Sequence, residues 1–207
     1  MLTRLHAALA SGLLVCAVAF SPVAQAQVAP DELVKQLSSE VIETVKSDKA
    51  IQAGDVKKII ALVDAKILPH VNFQRMTALA VGRYWRQATP EQQGRLQDEF
   101  KLLLVRTYAG ALTQVRDQTV VMKPLRARAE DTEVIVRTEI KGRGDPIQLD
   151  YRMEKAADGW RIYDVNVLGV WLVENYRSSF AQEIGASGID GLIGKLSERN
   201  KAAAAKG

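Results

Sequence analysis

"EVIVRTEIKGRGDPIQLDYRMEKAADGWRIYDVNVL", residues 133–168, decides the fold. Val134, Val136, Thr138 and Ile140 alternate with Ile135, Arg137, Glu139 and Lys141, the period of a strand with one buried face. Gly142-Arg143-Gly144-Asp145-Pro146 is a turn, and beyond it Ile147, Leu149, Tyr151 and Met153 alternate with Gln148, Asp150, Arg152 and Glu154. Asp158-Gly159 is a hairpin dipeptide, and Trp160 to Leu168 reads as the next strand. Val120 to Arg128 supplies a strand ahead of these, with Pro124 confining it to an edge or a bulge. Strands joined by such short turns form an antiparallel meander.

On either side of the meander the apolar period becomes helical. Thr89-Pro90-Glu91-Gln92 is a capping box with proline at the first helical position. The helix it opens carries Leu96, Phe100, Leu103, Leu104, Tyr108, Ala111, Leu112 and Val115 on one stripe and runs to about Asp117. Upstream, Pro30-Asp31-Glu32 opens a helix to about Lys46, and Gly54-Asp55 opens a second that Pro69 ends. Asn72 caps a short third with Phe73, Met76 and Leu79. Downstream, one helix spans Trp171 to about Glu183, and Ser187 with Asp190 marks the start of another. The tail from Lys201 is a frayed helix end or disorder. Four helices, four antiparallel strands and two helices make an α+β domain. Its natural packing is one curved sheet with helices on one face, a cone with one open end and a hydrophobic cavity.

The first 26 residues stand apart. Arg4 and His6 precede an apolar run, Ala7 to Phe20, too short to cross a bilayer, and Ala24-Gln25-Ala26 is a cleavage pattern. They read as a secretory signal peptide cut after Ala26, with residues 27–200 as one domain and 201–207 as a flexible tail. Val15 ahead of Cys16 does not suit lipidation, and this cysteine is the only one. The mature chain then has no disulfide, thiolate nucleophile or cysteine metal site. Its 27 basic residues (28 without Arg4) against 24 acidic leave +3, spread along the chain. Nothing clusters as nucleic-acid binding requires, and the expected state is a monomer without nucleic-acid partners.

Catalytic patterns are sparse. His70, the one mature histidine, follows the helix-ending Pro69 and reads as a loop residue. There is no G-x-S-x-G, no H-E-x-x-H and no histidine cluster, so neither a catalytic centre nor a metal site is expected. Arg143-Gly144-Asp145 spells an adhesion tripeptide but consists of turn residues. One enzyme reading survives: an isomerase or dehydratase for a hydrophobic substrate, with Asp164 and a nearby tyrosine as acid and base. Asp164 stands where the strand pattern loses phase, so it either faces inward or sits at a bulge bonded to backbone.

The apolar supply says more. Phe73, Met76, Tyr84, Trp85, Phe100, Leu104, Tyr108 and Leu112 from the helices are candidates for the sheet–helix interior. Val136, Ile140, Tyr151, Tyr163, Val165 and Val167 are their counterparts from the sheet. Tyrosines suit a cavity that holds an amphipathic ligand, because each offers an apolar ring and a polar tip.

Two blocks carry a resemblance. "ILPHVNFQRMTALAVGRYWRQATPEQQGRLQDEFKLLLVRTYAGAL" (67–112) has Gly82, Trp85-Arg86, Ala88-Thr89, Gln92, Phe100 and Tyr108-Ala109. "GWRIYDVNVLGVWLVENYRSSFAQEI" (159–184) has Trp160, Tyr163-Asp164, Gly169-Val170, Leu172 and Asn175-Tyr176-Arg177. Together they resemble the MlaC family of periplasmic phospholipid-carrying, or toluene-tolerance, proteins. Asn72 stands where that family would have aspartate, and Trp171 where it has a small hydroxyl residue, which would narrow a cavity there. The resemblance implies a non-enzymatic, cofactor-free carrier. It would shuttle phospholipid between an outer-membrane lipoprotein complex and an inner-membrane ABC transporter with an MCE-domain subunit, maintaining outer-membrane lipid asymmetry. The fourteen interior candidates would then wall the lipid cavity, and Arg143 and Arg152 would form a basic rim for the headgroup. Of Tyr84 and Trp85, beside the bend at Thr89-Pro90, one is expected in the core and the other in the cavity wall.

Overall fold

The computed structural model describes residues 27–205, so the leader and its cleavage site lie outside the described residues. Helix α1 spans Pro30–Ser47, and a single turn, α2, Lys49–Gln52, follows. Helix α3, Val56–Leu62, is capped by Asp55, runs on through a π-helical turn, Val63–Ile67, and closes in a 3-10 turn, Leu68–His70. Helix α4, Phe73–Val81, takes its cap from Asn72, whose Oδ1 accepts the Arg75 amide at 2.9 Å. After a 3-10 stretch, Gly82–Gln87, the capping box of Thr89 and Gln92 opens α5, Pro90–Leu112. Five strands follow: β1 Thr119–Met122, β2 Glu133–Lys141, β3 Ile147–Ala156, β4 Gly159–Val167 and β5 Val170–Trp171. Helix α6, Leu172–Ala204, closes the fold. The strands lie in chain order in one antiparallel sheet, the α+β meander that the alternation predicts.

Four local differences have physical causes. Strand β1 stops at Met122 because Pro124 has no N–H to continue the ladder; Lys123 N–H still donates to Arg137 O. Helix α5 ends at Leu112, short of the expected Asp117, where the Arg116 guanidinium bonds the carbonyls of Thr113 and Val115. The fifth strand arises because Leu168-Gly169 makes a two-residue turn, with Asn166 Oδ1 accepting the Gly169 amide at 2.8 Å. The two expected C-terminal helices are the two segments of α6, which Gly188 (φ 75°, ψ −179°) separates with a non-helical backbone. The Ser187 hydroxyl donates back to Glu183 instead of capping the second segment, and the break falls at Gly188. Lys201–Ala204 form the exposed last turn of α6.

The core falls into three clusters. Met76, Ala80, Leu96, Phe100, Tyr176, Phe180 and Leu192 join α4, α5 and α6. Within this group Phe100 meets Tyr176 and Phe180 edge to face, centroids 5.1 and 5.2 Å away. Val34 and Leu37 of α1 pack on Val134, Val136, Met153 and Ile162 of the sheet. Val45, Ile51, Ile59, Leu62, Val105 and Ala109 join α1, α2, α3 and α5. Helix α1 thus covers β1 and β2, α4 and α6 cover β4, and α5 packs on the other helices with few close approaches to the sheet.

Candidate functional site

The strand registers sort side chains onto two faces. Val136 pairs Tyr151, which pairs Val165; Thr138 pairs Leu149, which pairs Val167. These form the inner, helix-side face, together with Val134, Ile140, Ile147, Met153 and Ile162. Burial along it is graded. Val134, Val136, Met153 and Ile162 are buried, at one end of the sheet. Ile140, Leu149, Tyr151, Val165 and Val167 are half-buried, and Ile147 at the far end is 40% exposed. Since α5 makes few close approaches to the sheet and α1, α4 and α6 cover its flanks, this half-buried stretch is the least covered part of the inner face and the candidate wall of a hollow beneath α5.

Tyr151 marks that hollow. Burial pushes its phenol up in pKa, opposed by hydrogen bonds with Ser38 and Thr138. The residue keeps part of its surface accessible. Leu104, Tyr108 and Leu112 of α5 are half-buried too. Burial, and next the neighbouring Tyr176, push the Tyr108 phenol up. The arrangement offers apolar walls with two phenolic tips, suited to a ligand with an apolar body.

Of the fourteen interior candidates, Ile140, Tyr151, Val165 and Val167 stand half-buried on this face, Leu104, Tyr108 and Leu112 half-buried on α5, Phe73 lies against Phe100, and Val136 belongs to the packed core. Met76 and Phe100 are fully packed core. Tyr84 and Trp85 both pack, half-buried, on the cluster of α4, α5 and α6, so the bend does not divide them into core and wall. Tyr163 lies elsewhere. Arg152 pairs Asp164 while Met153 pairs Ile162, so Tyr163 is the extra residue of a β-bulge. Its ring lies under the Arg75 guanidinium, 3.8 Å away, and its hydroxyl donates to Glu133 at 3.1 Å. Leu149 shares this face, half-buried, and is missing from the candidates although the alternation places it on the face of Tyr151.

The outer face is polar. Asp164, 1% exposed, accepts the amides of Val165 and Val173 on Oδ1 and the Arg152 guanidinium on Oδ2, at 2.9, 3.1 and 3.0 Å. Burial pushes its carboxyl up, against the pull of these donors. It sits at the bulge, bonded to backbone, and does not face the hollow. Arg152 also bonds Glu174 and stacks on Trp171, 3.9 Å from the ring centroid. Trp171 therefore covers the outer face and does not narrow the hollow. Arg152, expected on a headgroup rim, instead lines an outer groove of about 670 Å³ with Lys123, Arg126, Glu133, Ile135 and Arg137. Arg143 stands 91% exposed in the β2–β3 turn, paired with Asp117, and is the one rim candidate at the open end. His70 is half-buried in its 3-10 turn. Among the described residues no three His, Cys, Asp or Glu are placed to hold a metal ion, and no helix is long and apolar enough to cross a membrane.

Comparison with known proteins follows this geometry. A crystal structure of a phospholipid-binding protein from Ralstonia solanacearum, in complex with a phospholipid, superposes with TM-score 0.83 at 48% identity, covering 86% of this chain and 99% of that one. Toluene tolerance protein Ttg2D of Pseudomonas putida is 26% identical over 201 residues, 93% of each chain. The intermembrane phospholipid transport system binding protein MlaC of Haemophilus influenzae is 23% identical over 177 residues, 84% of this chain and 83% of that one. The model of the MlaC protein family matches residues 35–198, and the chain belongs to that family.

Proposed function

We propose that this chain is a phospholipid carrier that holds acyl tails in the hollow between the inner sheet face and α5. The observation that carries the reading is the Ralstonia structure, bound to a phospholipid, which this chain matches over 99% of that protein's length. The half-buried, apolar and tyrosine-bearing walls support it. The energetics fit: with ~15 methylenes per tail, exposing two tails to water costs on the order of 24 kcal/mol at ~0.8 kcal/mol each. A carrier must enclose most of that surface. A bilayer offers the tails the same gain, so loading and release are near balance and headgroup contacts can stay weak.

The finer reading is a periplasmic shuttle between an outer-membrane lipoprotein complex and an inner-membrane ABC transporter with an MCE-domain subunit, serving outer-membrane lipid asymmetry. The apolar leader ending in Ala24-Gln25-Ala26 supports export. The acid–base alternative loses its base, because Asp164 is held by two amides and Arg152 on the face away from the hollow.

Delipidated, refolded protein incubated with radiolabelled phosphatidylglycerol or phosphatidylethanolamine vesicles and passed over a sizing column tests the binding. Label travelling with the monomer supports the carrier. Label confined to the vesicles, with protein emerging bare, contradicts it.

A further inference from the structure

The β4–β5 turn is built from a residue that suits it poorly. Leu168 has φ 52° and Gly169 φ 89°, the pattern of a two-residue turn with both central residues left-handed. Asn, Asp and Gly favour the first of these positions, and leucine meets a steric penalty there. Leu168 is the one non-glycine with positive φ among the described residues, and it is 65% exposed. The fold gains neither burial nor backbone ease from it. Such a side chain points to a role outside the folded core.

Its surroundings say which role. Val170 is 50% exposed and Ile147 40%, and with Leu168 they are three of the four large apolar residues that stand exposed among the described residues. Val170 pairs Val167, Val167 pairs Leu149, and Ile147 pairs Ile140. Two adjoining apolar rows, Val170–Val167–Leu149 and Ile147–Ile140, thus run across β2 to β5 on the inner face and reach solvent at this end.

Resting on the carrier reading, we propose that this end of the sheet seats itself in the headgroup–acyl boundary of a lipid bilayer, with Leu168 as the inserting tip. The occupant follows from the continuity of these rows with the hollow. Tails moving between a bilayer and the hollow avoid water only if an apolar rim reaches the hydrocarbon edge. The charges nearby balance: Lys141 pairs Glu139, Arg143 pairs Asp117, and Asp145 follows in the same turn. The contact is therefore apolar, works on zwitterionic bilayers and is insensitive to salt.

The test uses Leu168→Asn, which removes the apolar tip and installs a residue the turn prefers, and Val170→Ser as an independent variant. Each full mature protein is assayed for the lipid it carries on purification, for its melting temperature, and for extraction of a fluorescent phospholipid from phosphatidylcholine vesicles at low and high salt. Leu168→Asn is expected to melt no lower than the parent and to carry the same lipid. It should extract from vesicles about tenfold to a hundredfold more slowly, the factor that withholding one leucine from an apolar phase carries. Extraction by both variants at the parental rate overturns the proposal. So does a parent that carries lipid from the cell but takes none from vesicles, which would assign the rows to a protein partner. A parent that carries no lipid at all instead removes the carrier reading, and this proposal with it.

Discussion

The carboxylate of Asp164 accepts the amide of Val173 at 3.1 Å, tying the bulge in β4 to the first turn of α6. The first amides of a helix have no partner within it, and a buried one must find an acceptor elsewhere. Asp164 supplies it, accepts the Val165 amide as well, and holds Arg152 against Glu174.

Asp164→Ala leaves two amides without their acceptor and strips the buried partner from Arg152. It should destabilise the fold by about 3–5 kcal/mol. Asp164→Asn keeps Oδ1 for both amides but turns an NH2 toward the Arg152 guanidinium in place of its acceptor, so a smaller loss of about 1.5–3 kcal/mol is expected. Denaturant titration checks both. Equal stability of Asp164→Ala and the parent would remove the structural role assigned here.

A second expectation concerns pH. The Arg75 guanidinium bonds Glu133 at 2.6 Å and also Glu154, and the bond to Arg75 is the main reason the Glu133 carboxyl is held below its usual 4.5. A carboxyl with a depressed folded-state pKa contributes stability present above about pH 4.5 and lost as pH falls through the folded value. Glu133→Gln should therefore lower the melting temperature slightly at pH 7 and lessen the fall on acidification below 4.5. Glu133 is largely exposed, so the effect is small. Parallel curves for parent and variant down to pH 3 would contradict it.

Cargo and packing should separate by position. Leu104 is half-buried on α5, whereas Val136, 1% exposed, is locked against α1 and Met153. Leu104→Trp is expected to fill the hollow, keep the fold and lose most of the carried lipid. Val136→Trp overpacks the sheet core and should cost about 1–3 kcal/mol in stability. Lipid extraction with mass spectrometry, set beside urea curves, tells the two apart. Full cargo on a folded Leu104→Trp protein would place the ligand elsewhere.

Gly188 bends α6 with φ 75° and ψ −179°, a conformation open to glycine alone. Gly188→Ala should cost about 1–3 kcal/mol in a denaturant titration. An unchanged midpoint would mean that the bend relaxes freely.

Much of this was legible in the chain. Strict alternation from Val134 to Met153 gave the meander and its inner face, and Thr89 with Gln92 fixed the start of α5. What was not legible depended on local exceptions. Leucine is no turn former, so Leu168-Gly169 hid β5. Ser187 resembled a cap but turned its hydroxyl back to Glu183, and the break between the two segments of α6 lies at Gly188 beside it. The bulge at Tyr163 moved that ring to the outer face. The site was legible only in outline, because core and hollow draw on the same residue types. What distinguishes Phe100 from Leu104, four residues on, is that Phe73, Tyr176 and Phe180 close over Phe100, and that packing belongs to the tertiary fold.

The most direct test of the central claim is native mass spectrometry of the mature protein purified without detergent, with solvent extraction of the same sample. The carrier account expects a protein–phospholipid mass and stoichiometric phospholipid in the extract. A bare protein mass with an empty extract would contradict it.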